Sequence, residues 1–127
     1  MLGRKTILVA EDTEFFLSLV QDTLGAKYRM LGARTKTEAL QLLGREPIDL
    51  VILDISLESP EDGLEVLASA APRGLPCLIF TARNEADLYG DGWARLRAKG
   101  ATDLLLKGMN VEEQLISKVA ALLGSKN

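Results

Sequence analysis

The segment IDLVILDISLESPEDG, residues 48–63, carries the features that decide the fold. Four apolar residues, Leu50 to Leu53, run directly into Asp54, and a loop containing proline and glycine follows. A short and continuously apolar run is typical of a strand that is covered on both faces, as in a parallel sheet. We therefore expect a buried strand that ends on a carboxylate.

Similar apolar runs and helical patterns alternate along the rest of the chain. The other predicted strands are 6–10, 28–33, 77–80 and 103–107. The predicted helices are 13–24, 35–43, 63–70 and roughly 111–123, with a weaker candidate at 84–99 that Gly90 and Gly92 interrupt. Five strands alternating with five helices predict an α/β fold, a doubly wound five-stranded parallel sheet in three layers, α/β/α.

Capping residues predict where several of the helices begin and end. Thr35 with Glu38, and Asn110 with Glu113, have the spacing of capping boxes at helix starts. Glycines are expected to end two of the helices, Gly44 and Gly124.

Length and composition indicate one globular domain spanning residues 1–127. The net charge is −3, and no basic run is present, so direct nucleic-acid binding is not expected. No apolar stretch reaches the ~18 residues that a membrane span requires. The first residues resemble no secretory signal, and the single cysteine, Cys77, suits a reducing compartment. A cytoplasmic location is therefore expected.

Histidine is absent from the chain, and this absence excludes several kinds of chemistry. Ser-His-Asp and Cys-His catalysis both need an imidazole, as do histidine metal sites. The chain likewise cannot form a phosphohistidine of its own.

Polar residues follow four of the five predicted strands. Glu11 and Asp12 end the first strand, Asp54 the third, Thr81 the fourth and Lys107 the fifth. Each alone has an ordinary explanation, such as helix capping, dipole compensation or surface solvation. Together they would meet at the carboxyl edge of the sheet, where such folds bind ligands. Three carboxylates repel one another unless a cation joins them, and oxygen ligands favour Mg²⁺.

This constellation resembles the receiver domain of two-component response regulators, over roughly residues 5–124. That family has an acidic pair after its first strand, a phospho-accepting aspartate after the third, Thr or Ser after the fourth and Lys after the fifth. The stretches ILVAED, DLVILDISL, IFTAR and KGATDLLLK match this pattern in order and in context. The resemblance implies a flavodoxin-like and CheY-like fold with strand order 2-1-3-4-5.

The resemblance also implies a metal site. Asp12 and Asp54 would hold Mg²⁺ directly, with the backbone carbonyl of Ser56 as a further ligand. Glu11 would act mainly through water. Glutamate stands here where aspartate is commoner in the family, and its extra methylene is expected to shift the metal geometry.

A phosphoryl-transfer role is implied for three residues. Asp54 would accept a phosphoryl group from a histidine kinase or a phosphotransfer protein. Lys107 would pair first with Asp54 and then with a phosphoryl oxygen, while Thr81 would donate its hydroxyl to another oxygen. The chain would be a signalling switch rather than an enzyme, with a downstream effector domain or protein as partner and a possible homodimer.

Two departures from the family keep an alternative open. Leu104 stands where the family has an aromatic residue, and Gly108 where it has proline, which leaves the isomer of the Lys107–Gly108 peptide open. These departures favour a pseudo-receiver, an interaction module that works without phosphorylation, whereas the retained Asp54, Thr81 and Lys107 oppose it. For a phosphorylated receiver, Leu104 has no ring that could move, so output is expected through the segment of about 82–95, which contains extra glycines, with Trp93 as a candidate anchor.

A true enzyme or cofactor protein on a similar sheet is the third hypothesis. A haloacid-dehalogenase-type phosphatase would need a second aspartate where Ser56 stands. A flavodoxin would need a hydroxyl-rich phosphate loop where the chain has AEDTE, residues 10–14, whose acids would repel a phosphate. Both residue patterns argue strongly against this class.

Overall fold

The computed structural model describes residues 3–82, 91–108 and 110–124, with Asp91 described by its backbone alone. The strands are β1 (Thr6–Ala10), β2 (Arg29–Ala33), β3 (Leu50–Leu53), β4 (Cys77–Ala82) and β5 (Asp103–Lys107). The helices are α1 (Glu14–Leu24), α2 (Lys36–Arg45), α3 (Pro60–Ala70), α4 (Asp91–Ala98) and α5 (Val111–Leu123), with a short 3-10 helix at Ala71–Arg73. Much of the predicted output segment 82–95 lies outside the described residues.

The five strands form one sheet in the order β2-β1-β3-β4-β5, and every pairing is parallel. This is the predicted doubly wound architecture, and the expected strand order is confirmed. The strand order reverses between β1 and β3, where the pairs run from Ile7 opposite Leu50 to Ala10 opposite Leu53. The residues that follow these two strands therefore emerge side by side at the carboxyl edge, where such folds place their sites.

Alternate residues of each strand face opposite sides of the sheet, and this alternation builds two cores. On one side, Leu8 and Leu53 pack with residues of α2, α3 and α4. On the other side, Ile7 and Phe80 pack with residues of α1 and α5. Helices thus cover both faces, which explains why the three inner strands, β1, β3 and β4, are buried along almost their whole length. None of the described helices is long and apolar enough to cross a membrane.

The predicted start of α2 is confirmed in part. The Thr35 hydroxyl oxygen accepts a hydrogen bond of 3.1 Å from the Glu38 amide, as a capping box requires. The Glu38 carboxylate accepts instead from the amide of Arg34, at 2.7 Å. Gly124 ends α5 in the left-handed conformation, with φ 71°, as its position after the helix predicts.

The predicted end of α2, the predicted start of α3 and the predicted capping box of α5 are wrong, whereas α5 spans Val111–Leu123 as predicted. Gly44 lies inside α2, which continues to Arg45; Glu46 is extended because it precedes Pro47, and a residue before proline avoids helical geometry. Asn110 adopts the left-handed conformation, with φ 60°, and its side chain makes no capping hydrogen bond to Glu113. Finally, α3 begins at Pro60 rather than at residue 63, because Ser59 caps it and proline suits the first turn.

Candidate functional site

Three carboxylates meet where β1 and β3 end. The Asp54 amide donates a hydrogen bond of 2.9 Å to the Ala10 carbonyl, which keeps the two strand ends together beyond the last paired residues. Glu11, Asp12 and Asp54 each offer an oxygen, and these oxygens lie within 4.8 Å of one another. The structure thus brings together the three carboxylates that the sequence predicted at the ends of two strands, Glu11 and Asp12 after β1 and Asp54 after β3.

The carboxylate cluster is largely removed from water. The Glu11 residue is 0% exposed and Asp54 is 6% exposed, while Asp12 is half-buried. Burial raises the pKa of Glu11 above its ordinary value, and the charge of Asp54 raises it further. A buried and negatively charged group of this kind favours a cation as its partner.

Lys107 supplies one such cation. Its side chain is only 8% exposed, and its ammonium nitrogen lies 2.8 Å from Glu11 Oε1 and 3.1 Å from Asp54 Oδ2. Burial alone would lower the pKa of Lys107, but the close contact with Glu11 and the charges of both carboxylates outweigh it and raise the pKa. The pairing with Asp54 was expected from the resemblance. The shorter pairing with Glu11 was not, although glutamate's longer side chain is a signal for it.

The loop after β3 holds Asp54 through its own backbone. The Ser56 amide donates a hydrogen bond of 3.0 Å to Asp54 Oδ1, and the Leu57 amide donates one of 3.0 Å to the Asp54 carbonyl. Leu57 has a left-handed φ of 37°, so the turn is tight. A Cβ atom at Gly63 would clash with the Ile55 carbonyl, because α3 packs directly against this loop. Sequence reasoning missed this role of Gly63.

Thr81 lies at the end of β4, next to the strand that carries Lys107. In the β4–β5 register Thr81 is opposite Leu106, and Ala82 is opposite Lys107. The Thr81 residue is 0% exposed, and its hydroxyl oxygen has no hydrogen-bond partner in the part of the chain that is described. A buried hydroxyl without a partner is unusual, since buried polar groups are nearly always hydrogen-bonded.

Backbone contacts also orient the acidic pair. The Thr13 amide donates a hydrogen bond of 3.0 Å to Glu11 Oε2, so one oxygen of Glu11 faces this amide and the other faces Lys107. The guanidinium of Arg34 donates two bonds, of 3.2 and 3.0 Å, to the Asp12 carbonyl. Nothing in the local sequence around Arg34 signalled this contact.

Two aromatic rings complete the surroundings of Lys107. Its ammonium nitrogen lies 4.5 Å from the ring centroid of Phe16 and 5.2 Å from that of Phe80. The two rings pack edge to face, with centroids 5.6 Å apart. The sequence predicts Phe16 only as a position within the helix 13–24, because its distance from β5 along the chain conceals this contact.

Leu104, which replaces the family's aromatic residue, and Trp93, the candidate anchor for output, both pack against the core formed by α2, α3 and α4. Each is partly buried. The Lys107–Gly108 peptide bond is trans.

Comparison with known proteins begins with a family match. The sequence model of the response regulator receiver domain matches residues 7–120. A probable cyclic di-GMP phosphodiesterase of Vibrio cholerae serotype O1 is 39% identical over 115 residues, in a match that covers 87% of this chain and 25% of that protein. The chain therefore spans about a quarter of the length of this relative.

Solved structures give the same picture. The signal receiver domain of a LuxO repressor protein from Vibrio parahaemolyticus is 28% identical, with a TM-score of 0.79 over 97% of this chain and 92% of that one. A response regulator from Burkholderia pseudomallei is 28% identical, with a TM-score of 0.73 over 93% of this chain and 66% of that one. The latter structure contains a phosphorylated aspartic acid, a calcium ion and citrate.

Proposed function

The chain belongs to the response regulator receiver family, and from this premise we propose that it is a phosphorylation-dependent switch with Asp54 as the phosphoryl acceptor. The observation that carries the proposal is the contact of 3.1 Å between Lys107 and Asp54, made beside two further carboxylates. Glu11 also contacts the ammonium and belongs to the same cluster. Asp54 is the proposed acceptor because it follows the third strand, where the receiver family has its phospho-accepting aspartate. The phosphorylated aspartic acid in the Burkholderia relative supports the same chemistry.

In the proposed reaction, a carboxylate oxygen of Asp54 attacks the phosphorus of a phosphohistidine on a partner protein. A phosphorus–oxygen bond forms, and the phosphorus–nitrogen bond breaks with its electron pair left on the imidazole. The Lys107 ammonium can then follow the charge from the carboxylate to a phosphoryl oxygen. The Thr81 hydroxyl, which lacks a partner among the described residues, is available to donate to another phosphoryl oxygen.

The donor set fits a divalent cation. Three carboxylate oxygens within 4.8 Å of one another are hard ligands, and the half-buried Asp12 leaves room for water. We propose that Asp12, Asp54 and the Ser56 carbonyl hold Mg²⁺, with Glu11 acting through water because its oxygens already face Lys107 and Thr13. Bound Mg²⁺ would neutralise phosphoryl oxygens during transfer.

The phosphoryl group adds about −1.5 to −2 charges at pH 7, enough to bias a two-state surface. The partners that we propose are therefore a histidine kinase or phosphotransfer protein as donor and an effector domain or protein as reader. The Vibrio cholerae relative is about four times as long as the matched segment, and the reader that we propose is either an effector in the same polypeptide or a separate protein.

Intact-mass spectrometry after incubation with Mg²⁺ and acetyl phosphate tests the proposal. We expect one added phosphoryl group on the unmodified sequence and none on Asp54→Asn. Asp62→Asn is the matched control, because Asp62 lies in the first turn of α3 and pairs with Lys36 rather than with the site. An adduct that persists in Asp54→Asn would move the acceptor elsewhere. No adduct on either protein would favour the pseudo-receiver.

A further inference from the structure

We propose that Phe16 and Phe80 are positioning residues, which hold the Lys107 ammonium in the site and let it move from Asp54 to the phosphoryl group. The inference deepens the proposed function and rests on it. It begins from the ring contacts of the ammonium nitrogen, at 4.5 Å from the Phe16 centroid and 5.2 Å from the Phe80 centroid.

The fold explains why these rings meet this lysine. Phe80 is on β4 and 0% exposed, and it faces the same side of the sheet as Leu105 of the neighbouring strand. Lys107 is two residues after Leu105, so strand alternation turns its side chain toward that side as well. Phe16 comes from the first turn of α1, which covers the same side, and packs its ring against Phe80.

The chemistry explains what the rings supply. The ammonium side chain is only 8% exposed, so water cannot solvate it freely, and its described polar partners are Glu11 and Asp54. The negatively polarised face of an aromatic ring attracts a cation, more strongly when water is excluded. This attraction depends weakly on direction, unlike a hydrogen bond, so an ammonium group can slide across a ring face without losing it.

Such a contact suits a group that changes partners. After transfer the charge at Asp54 moves outward onto phosphoryl oxygens, and Lys107 has to follow it. Glu11 alone would pull the ammonium inward, because its oxygen is the nearer one, at 2.8 Å. The rings keep the charged group attracted along its path and shield it from water, while adding no fixed acceptor that would trap it.

The first test measures the position of the Lys107 side chain relative to the rings, without any phosphorylation. Nuclear magnetic resonance of the metal-free protein should show the ε-methylene protons of Lys107 displaced upfield from those of the exposed Lys99, because ring currents shield protons above a ring face. Phe16→Leu should reduce this displacement, and Phe16→Tyr, which keeps the ring, should retain it. Phe15→Leu is the matched control, since the Phe15 ring contacts that of Phe16, with centroids 5.1 Å apart, but is 68% exposed and is not one of the rings over Lys107.

The second test measures the rate of phosphorylation by acetyl phosphate with Mg²⁺. We expect Phe16→Leu to be slower by about threefold to tenfold, and Phe16→Tyr and Phe15→Leu to stay close to the unmodified protein. The same reduction in rate is expected for Phe80→Leu if circular dichroism shows that this variant is folded. If the variant is unfolded, the rate of Phe16→Leu alone tests the positioning role.

The two tests separate failure of this inference from failure of the proposed function. Unchanged Lys107 signals in Phe16→Leu would overturn the positioning role, and so would an unchanged rate. If the unmodified protein accepts no phosphoryl group, the proposed function fails, and the signals of Lys107 still decide whether the rings hold the ammonium.

Discussion

At the scale of single residues, Lys107 balances a carboxylate that cannot reach water. Glu11 is 0% exposed, and its Oε1 atom lies 2.8 Å from the ammonium. A buried ion pair adds little net stability compared with apolar residues, but removing one partner leaves an uncompensated charge. The stability of the metal-free protein should therefore depend strongly on this one lysine.

Replacing Lys107 should destabilise the metal-free protein by about 3–5 kcal/mol, the usual effect of breaking a buried pair. Urea unfolding of Lys107→Met measures the loss, and Lys99→Met, at an exposed position, should change the free energy of unfolding by less than about 0.5 kcal/mol. Adding Glu11→Gln to Lys107→Met should restore much of the stability. A double variant as unstable as Lys107→Met would show that the loss does not come from the Glu11 charge.

The buried thiol of Cys77 should make the protein less stable in alkaline solution. The residue is 0% exposed, and burial raises the pKa of its thiol from 9.0 to about 11. Between these values the unfolded thiol ionises while the folded one stays neutral, so the free energy of unfolding falls as pH rises. The contribution is complete below pH 9 and has gone above pH 11.

The size of this effect should be on the order of 2–3 kcal/mol across that range. Urea unfolding at several pH values, compared between the unmodified protein and Cys77→Ala, isolates it, because the other titrating groups are common to both. Parallel curves for the two proteins would rule out a strongly raised thiol pKa.

At the scale of elements, the contact between α3 and the loop after β3 positions Asp54. Gly63 lies in the first turn of α3, where a Cβ atom would clash with the Ile55 carbonyl. That carbonyl belongs to the backbone, so it cannot turn aside as a flexible side chain could. The loop and the helix therefore have to move together.

Two glycine-to-alanine substitutions make this contact measurable. Gly63→Ala should destabilise the protein by about 1–3 kcal/mol, the usual range for overpacking, and should shift the resonance of the Ser56 amide. Gly44→Ala is the control, because Gly44 lies inside α2 with open space around it. It should stabilise the protein by about 0.5–1 kcal/mol through helix propensity. Equal effects of the two substitutions would show that helix α3 is not tightly packed on the loop.

At the scale of the whole molecule, Mg²⁺ should stabilise the fold because its proposed ligands come together only when β1 and β3 are paired. A ligand that binds only the folded state at 100 times its dissociation constant adds about 2.7 kcal/mol. Thermal unfolding with and without Mg²⁺ should show the gain, and EDTA should remove it. Asp12→Ala should abolish the gain, while Glu11→Ala should keep more of it. If Glu11→Ala lost as much of the Mg²⁺-dependent stability as Asp12→Ala, or more, the proposal that Asp12 is a direct ligand and Glu11 acts through water would be overturned.

Much of this architecture could be predicted from local patterns. Short, mostly apolar runs identified all five strands, and the polar residues after four of them named the candidate site. Both signals are local, since burial on two faces sets composition and strand ends mark the edge of the sheet. The helix ends were harder to predict, because competing local effects decide them. Helix α2 continues past Gly44 to Arg45, because Pro47 keeps Glu46 extended and so ends the helix there. Asn110 is left-handed, and its side chain makes no capping hydrogen bond.

The amino-acid sequence by itself thus determined the fold class, the parallel sheet and the residues of the candidate site. Only the tertiary structure decided how those residues share their contacts. Lys107 lies nearer to Glu11 than to Asp54, and two phenylalanines from distant elements face its ammonium. The physical reason is that charges and ring faces act over a few ångströms, and the distances here follow from strand register and helix packing. Neither strand register nor helix packing can be read from residues that lie 27 to 96 positions from Lys107 along the chain.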